Sequence, residues 1–384
     1  MKTLTFLLSI IIGLCSIIAF KNNILQIANI SISHLSQLIN HKTSTIATAE
    51  TTTTTATTPT STPNLISHPL DIPPGVHLTA TNMSVSRAIR KVFLAIEQAE
   101  GAGARVRRSV GTPSLRNFSP FLMLDHFSIK PGAGFPDHPH RGQETITYLL
   151  NGGVDHEDFA GNKGTINSGD LQFMTAGRGI VHAEMPRQNA DGSANVGLQL
   201  WVDLPKELKM VEPRYRDLRA KEIPQVEVDD GKVRIKVISG QSHGIDSVKD
   251  LAYTPVWILD LEIQPGGKVV QPLPEGWNAF GYMLEGSALF GEKGSQNVVE
   301  QYHNVVFEPQ GEVVKVEVDE GAETAARLVL IAGTPLDQKV VQYGPFVLNS
   351  QEQVYQAFMD YQTHTNGFER AKDWESEIGK TMLH

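Results

Sequence analysis

Short apolar runs alternate with turn residues from residue 83 to about residue 348. The clearest runs are TITYLL (145–150), VGLQLWVDL (196–204) and VWILDLEI (256–263), which are rich in β-branched and aromatic residues. Gly, Pro, Asn and Asp separate the runs every eight to twelve positions, a spacing typical of sandwiches and barrels. No long segment with a 3.6-residue hydrophobic period interrupts them, which excludes a doubly wound α/β fold. The pattern predicts an all-β body.

A weak internal repeat divides this body in two. The segment Tyr148–Gly153 resembles Tyr282–Ser287, since each is an aromatic and apolar strand that ends in a turn with Gly. The repeat predicts two tandem copies of one β-barrel, with a linker near 205–225. We place the first barrel in residues 83–215 and the second in 222–375.

The periodicity changes after residue 349, where a single C-terminal helix is predicted. Ser350 can cap the helix, with Gln353 three residues later as in a capping box. Gly367 suits the end of the helix. The apolar positions then fall on one helical face: Val354, Ala357, Phe358 and Tyr361.

Residues 1–82 differ in composition from the rest. Residues 4–20 are apolar and predict either a signal peptide or a membrane anchor. Residues 43–63 are rich in threonine, which predicts a disordered linker. Ordinary protein composition begins at Met83, which is itself a candidate start.

Charge and cysteine content exclude several classes of protein. With 33 Lys and Arg against 42 Asp and Glu, the net charge is −9, which argues against a direct nucleic-acid binder. The single cysteine, Cys15, excludes disulfide scaffolds and Cys-ligated zinc sites. Any metal site must therefore use His, Asp and Glu.

Two short motifs carry the candidate chemistry. They are His138-Pro139-His140 and His182-Ala183-Glu184. Residues i and i+2 of a strand share a face, so each motif projects two ligand-type side chains together. If both strands face one interior, three imidazoles and one carboxylate converge. The alternative is that the first pair are solvated turn residues and His182 is a hydrogen-bonded core histidine.

This ligand set favours iron. Three His and one carboxylate leave two positions open on an octahedral ion, much as in the facial-triad iron sites that activate oxygen. Fe²⁺ is the first choice, with Mn, Cu, Ni and Zn as alternatives. The second repeat has Gln271-Pro272-Leu273-Pro274 where the first has the histidine pair, so its barrel is predicted to hold no metal.

Other polar residues near these motifs have less specific roles. Counting along a strand from His140, Glu144 falls on the same face and is a candidate fifth ligand or proton shuttle, or else a buried, hydrogen-bonded carboxylate. Arg141 falls on the opposite face and is expected to meet solvent or a partner. The triplet 156–158 (HED) is interpreted as a turn, because neighbouring side chains of a strand diverge.

At these residues the sequence resembles the pirin family of the bicupin superfamily. The resemblance covers about 83–375 and rests mainly on these stretches: GFPDHPHRGQETITYLLNGG (134–153), HEDFAGNKG (156–164), GDLQFMTAGRGIVHAEMP (169–186) and GPFVLNSQEQVYQAF (344–358). It implies two tandem cupin barrels, of which the N-terminal one binds metal, usually iron. The family's ligand motif falls on His138, His140, His182 and Glu184.

The resemblance implies two different functions. One is quercetin 2,3-dioxygenase activity, in which a flavonol hydroxyl binds the metal and loses its proton to Glu184 or Glu144. Phe135, Phe173 and Met174 are then expected to form an apolar wall for the aromatic substrate. The other is a metal-gated co-regulator that binds a transcription factor, for which we expect the oxidation state of the ion to alter the surface around Arg141. The family favours cytoplasm and nucleus, whereas residues 4–20 favour a membrane or secretory route.

Overall fold

The structure is a computed structural model that describes residues 84–101, 103–130 and 132–382. Its first half contains these strands: β1 (Ile89–Leu94), β2 (Glu97–Glu100), β3 (Ala104–Arg108), β4 (Phe121–Ile129), β5 (Phe135–His140), β6 (Gln143–Asn151), β7 (Gly153–Asp158), β8 (Lys163–Asn167), β9 (Leu171–Thr175), β10 (Ile180–Pro186), β11 (Asn195–Asp203) and β12 (Arg214–Leu218). These predominantly extended segments agree with the predicted all-β body.

The second half repeats the same kind of element and ends in a helix. Its strands are β13 (Gln225–Val228), β14 (Val233–Ser239), β15 (Gln241–Ser242), β16 (Ile245–Asp246), β17 (Val256–Ile263), β18 (Lys268–Pro272), β19 (Asn278–Glu285), β20 (Ser287–Phe290), β21 (Asn297–Glu300), β22 (His303–Phe307), β23 (Val313–Glu317), β24 (Ala326–Gly333), β25 (Val341–Tyr343) and β26 (Phe346–Leu348). The helix α1 spans Gln351–Thr363.

Each barrel pairs a seven-stranded sheet with a four-stranded sheet. In the first barrel the strand orders are β12-β9-β6-β11-β4-β3-β2 and β5-β10-β7-β8. In the second they are β1-β22-β19-β24-β17-β14-β13 and β18-β23-β20-β21. The repeat seen in the sequence is confirmed, because Tyr148 on β6 and Tyr282 on β19 occupy the third strand of equivalent sheets.

The two barrels share a core. Alternate residues of the seven-stranded sheets point away from each barrel interior and pack against the other barrel, for example Phe121 against Phe280, with ring centroids 5.3 Å apart. The second barrel interior is filled by apolar side chains such as Leu259, Phe290 and Leu330, which are fully or almost fully buried. The first barrel keeps an open interior, and the candidate site lies there.

Each end of the described chain packs on the barrel formed by the other half: the first strand joins the second barrel, and the C-terminal helix packs on the first. Strand β1 pairs with β22 of the second barrel, although the sequence placed residues 83–215 together in the first domain. The C-terminal helix packs through Val354 and Ala357 in a cluster with Val181 of β10, in the first barrel. The predicted bounds therefore differ at both ends, because hydrophobic pattern gives no information on which sheet a terminal strand or helix will join.

The helix begins as predicted and ends earlier. The Ser350 hydroxyl accepts a hydrogen bond from the Gln353 backbone N–H at 3.2 Å, as expected of an N-cap. The helix ends at His364, which adopts a left-handed conformation with φ of 55°, rather than at Gly367. Among the described residues, no helix is long and apolar enough to span a membrane. The predicted leader, residues 1–82, lies outside the described residues.

Candidate metal centre

Three histidines meet inside the first barrel. Strands β5 and β10 are antiparallel neighbours, and His138 lies directly opposite His182. One ring nitrogen of each of His138, His140 and His182 lies within 4.8 Å of the others. The Nε2 atoms of His138 and His182 are 3.0 Å apart. Sequence spacing alone had predicted this convergence of two strands.

The three rings are held in place by their surroundings. The Nδ1–H of His138 donates to the backbone carbonyl of Pro136 at 2.8 Å, which leaves Nε2 with its lone pair directed at His182. The His140 ring stands edge-on to Trp201, with centroids 5.0 Å apart. Its Nδ1 lies 3.0 Å from the side-chain amide of Gln143. Such outer contacts fix the orientation of metal-binding imidazoles.

The donor set fits a metal ion. Nε2 of His140 is buried and has no hydrogen-bond partner among the described residues, which is costly unless something else binds there. Burial lowers the pKa of all three histidines, so they are neutral and have lone pairs available. Two nitrogens at about 2.1 Å from an ion and at right angles lie about 3.0 Å apart, which matches the separation of His138 and His182.

Glu184 lies beside the histidines, outside the group of three. Its Oε1 is 3.3 Å from the Thr147 hydroxyl and its Oε2 accepts a hydrogen bond from the Gln199 amide at 3.4 Å. Burial raises the pKa of this carboxyl group to about 7. The β5–β10 pairing shifts register between His182 and Glu184, so the two residues do not sit on the same regular pleat. The role of Glu184 as fourth ligand stays a prediction.

Glu144 does not line this cavity. Its carboxylate accepts hydrogen bonds from the Thr175 hydroxyl at 2.7 Å and from the backbone N–H groups of Tyr253 and Thr254 at 3.0 and 3.1 Å. Counting from His140 fails because β5 ends there and the chain turns at Gly142, where φ is +84°, before β6 begins. The geometry supports a role in joining the barrels and gives no support to a ligand or proton-shuttle role.

Arg141 is also placed differently from the prediction. Its side chain is 2% exposed and forms an ion pair of 2.7 Å with Asp360 of helix α1. Its Nε donates to the carbonyl of Arg178, and its Nη2 donates to the carbonyl of Asn366, both at 2.6 Å. The expectation of a solvent-facing Arg141 is wrong, because the C-terminal segment covers this face of the barrel.

A cavity of about 1050 Å³ opens in front of the histidines. Of the three residues predicted to form its apolar wall, Phe135 lines it, whereas Phe173 faces the other barrel and Met174 packs in a separate small cluster. Phe127 and Val106 complete that wall in their place. On the opposite side, the cavity is bordered by the segment 340–345.

Several polar residues of the cavity were missed from the sequence. Thr147 and Gln199 hold Glu184, and Arg108 forms a bidentate pair with the buried Asp125 at 2.8 and 2.6 Å. The available signal was weak: a polar or charged residue within a largely apolar strand, such as Asp125 in FLMLDHF. The triplet 156–158 is also not a turn, since it completes strand β7, where His156 lies opposite Glu184.

Comparison with known proteins agrees with this geometry. Residues 103–202 match the Pirin family model, and residues 258–367 match the Pirin C-terminal cupin domain. The chain is 48% identical to human Pirin over 298 residues, which cover 77% of this chain and all of the relative. The chain belongs to the pirin family. A Pirin-like protein of Solanum lycopersicum is also 48% identical, over 76% of this chain and 97% of its own length.

The pirin fold is shared by solved structures. A quercetin 2,3-dioxygenase from Acinetobacter baumannii is 28% identical, with a TM-score of 0.66 over 73% of this chain and 98% of its own. A protein from Geobacillus kaustophilus is 35% identical, with a TM-score of 0.59 over 67% of this chain and all of its own. Together with the two domain matches, these neighbours agree with a protein of two cupin barrels.

Proposed function

We propose that this pirin is a metal-dependent dioxygenase that opens a ring of a small aromatic substrate such as a flavonol, with Fe²⁺ as its ion. The observation that carries the proposal is the three neutral, inward-facing histidines at the end of a large, partly apolar cavity. Ligand cavities of enzymes are mostly apolar with a few convergent polar groups, which describes this one. The similarity to a quercetin 2,3-dioxygenase supports the same reaction class.

The histidines would hold the ion, and the remaining cavity residues would act on the substrate. The bound ion supplies Lewis acidity toward a substrate hydroxyl and redox chemistry toward dioxygen. Glu184 is the acceptor we assign for the hydroxyl proton, since its two oxygens are oriented by Thr147 and Gln199. Phe127 and Phe135 flank the substrate and exclude water from the reacting ring.

The test is oxygen uptake by the full-length chain after anaerobic loading with Fe²⁺, on addition of quercetin. We expect substrate-dependent uptake that His138→Ala abolishes together with iron binding. His303→Ala is the matched control, because His303 lies on β22 of the second barrel and should leave uptake unchanged. No uptake by protein that retains iron would contradict the proposal and favour a redox-sensitive binding role.

A second variant separates the two roles predicted for Glu184. Glu184→Gln keeps the shape of the side chain and removes its charge. If the variant keeps its iron and loses uptake, Glu184 is the proton acceptor. If it loses iron as well, Glu184 is a ligand, and the proton must be accepted elsewhere.

A further inference from the structure

A row of polar side chains crosses the floor of the cavity. In the seven-stranded sheet of the first barrel, Arg108 lies opposite Asp125, Asp125 opposite Gln199, and Gln199 opposite Thr147. Residues directly opposite each other on neighbouring strands share a face of the sheet. All four line the cavity, so the row is accessible to a molecule bound there.

The two ends of the row differ in chemistry. Thr147 and Gln199 contact Glu184 and mark the end beside the histidines. Arg108 lies two strands beyond Gln199, and neighbouring strands are about 4.8 Å apart. The strand that carries Arg108 therefore lies roughly 10 Å across the sheet from the strand that carries Gln199. Val106 and Phe127 provide apolar surface beside this route.

The Arg108 side chain is fixed and still has donors to spare. Its Nε and Nη2 donate to Asp125 at 2.8 and 2.6 Å, and Nη2 also donates to Glu100 at 2.7 Å. A guanidinium has five N–H donors, and no protein acceptor contacts Nη1 within the described ranges. The side chain is 21% exposed, and it borders the cavity. It can therefore donate to a ligand without losing its own ion pairs.

The charge at this end favours a hydroxyl group over an anion. Arg108 contributes one positive charge, and Asp125 and Glu100 contribute two negative charges. A hydroxyl can accept from Nη1 and donate to a carboxylate, whereas a carboxylate would meet net repulsion. Arg116 also borders the cavity, but it is exposed at the rim, where solvent and salt screen its charge.

We propose that Arg108, held by Asp125, binds a ring hydroxyl at the end of the substrate remote from the metal ion. The cavity would accordingly take neutral, polyhydroxylated aromatic molecules whose two polar ends lie about 10 Å apart. The identity of the metal-binding end rests on the proposed function. Arg108 is in this view a specificity-determining residue and takes no part in the ring opening.

The experiment compares two ligands that differ at the remote end. Quercetin carries hydroxyl groups on its pendant ring, and galangin (3,5,7-trihydroxyflavone) has the same fused rings and the same metal-binding end without them. Binding to the full-length, iron-loaded chain is measured anaerobically by titration calorimetry, so no turnover occurs. We expect the wild type to prefer quercetin by about tenfold or more, the size of a hydrogen bond to a charged group.

Substitutions then assign the preference to its residues. Arg108→Lys keeps the charge but loses the planar donor fork, and Asp125→Asn releases the guanidinium. Both should bring the preference close to one while affinity for galangin stays within about twofold of wild type, which also shows that the variants fold. Arg105→Lys is the control, since Arg105 lies on the same strand and pairs with Glu97 at the surface.

Three results would overturn the proposal. They are a preference unchanged in Arg108→Lys, an equal loss of affinity for both ligands, or tighter binding of a flavonol that carries a carboxylate in place of the pendant-ring hydroxyl. Failure of the dioxygenase proposal can be distinguished from failure of the recognition role of Arg108. Ligand preference that depends on Arg108 without oxygen uptake rejects only the reaction, and uptake without that preference rejects only this recognition role.

Discussion

Replacing Asp360 by Asn removes one charge of a buried ion pair that joins helix α1 to the metal-bearing barrel. Arg141 Nη1 and Asp360 Oδ2 are 2.7 Å apart, and the two side chains are 2% and 3% exposed. Removing one partner of such a pair leaves the other charge buried without its counter-ion, which costs about 3–5 kcal/mol. Because the Asn366 and Gln356 amides that contact Asp360 remain, at 2.8 and 2.7 Å, we expect a loss of about 3 kcal/mol.

The free energy of unfolding is measured by urea titration followed by circular dichroism. The matched control is Glu292→Gln, which removes a pair of the same 2.7 Å length from the surface, where Glu292 is 53% exposed. Exposed pairs contribute below about 1 kcal/mol. Equal losses of unfolding free energy in Asp360→Asn and Glu292→Gln would refute the reasoning that burial makes the Arg141–Asp360 pair more stabilising than an exposed one.

A double variant examines the same pair from the other side. Arg141→Met with Asp360→Leu removes both charges and keeps side chains of similar size. Replacing a buried pair by apolar residues is often neutral, so the double variant should recover much of the stability lost in Asp360→Asn.

Since Arg141 follows His140 directly and also contacts residue 178 before β10, we expect Asp360→Asn to weaken metal binding, measured by chelator competition.

Further outcomes follow from individual residues. Burial would raise the pKa of Asp360, but hydrogen bonds from Arg141 and its other partners lower this pKa. The carboxylate therefore stabilises the fold above its unfolded pKa, and this contribution disappears as the pH falls through its folded pKa. The difference in stability between wild type and Asp360→Asn should vanish in strong acid, and a difference that persists there contradicts this reasoning. His182→Ala should reduce bound metal from about one ion per chain to nearly none by elemental analysis, whereas His303→Ala should keep it. Gly142→Ala should lower thermal stability more than Gly231→Ala does. Both glycines have φ above +80°, so the backbone strain is similar. The new Cβ at Gly142 would lie 2.0 Å from a backbone carbonyl oxygen, whereas the one at Gly231 would have no atom within 4 Å.

The sequence was sufficient for the features that depend on local period. Alternation of apolar residues indicated the strands, and ligand-type side chains at i and i+2 in each motif indicated that three imidazoles and one carboxylate would converge. The capping residue Ser350 and the apolar face of the helix were equally local signals. These features follow from backbone geometry within one element, which the order of residues specifies directly.

Errors arose where the chain turns or crosses. Glu144 was counted along a strand that had already ended at His140, and Arg141 was assigned to solvent because its covering helix lies more than 200 positions away in the chain. Phe173 was placed in the cavity although the outward face of its strand is buried too, against the second barrel. When both faces of a sheet are buried, hydrophobicity no longer tells the inner face from the outer.

The contrast between the two barrels gives a physical reason for their division of roles. Strand β18 occupies the sheet position of β5, and β23 that of β10, yet Gln271 there lies opposite Val314, where the first barrel has His138 opposite His182. A buried polar group without a partner costs about 1–3 kcal/mol, so a set of empty histidines is a substantial burden on a barrel. The apolar interior of the second barrel, together with the core shared between the barrels, supplies stability that the open interior of the first does not. Fusing the two barrels through that shared core therefore lets one of them keep a polar, ligand-accessible cavity.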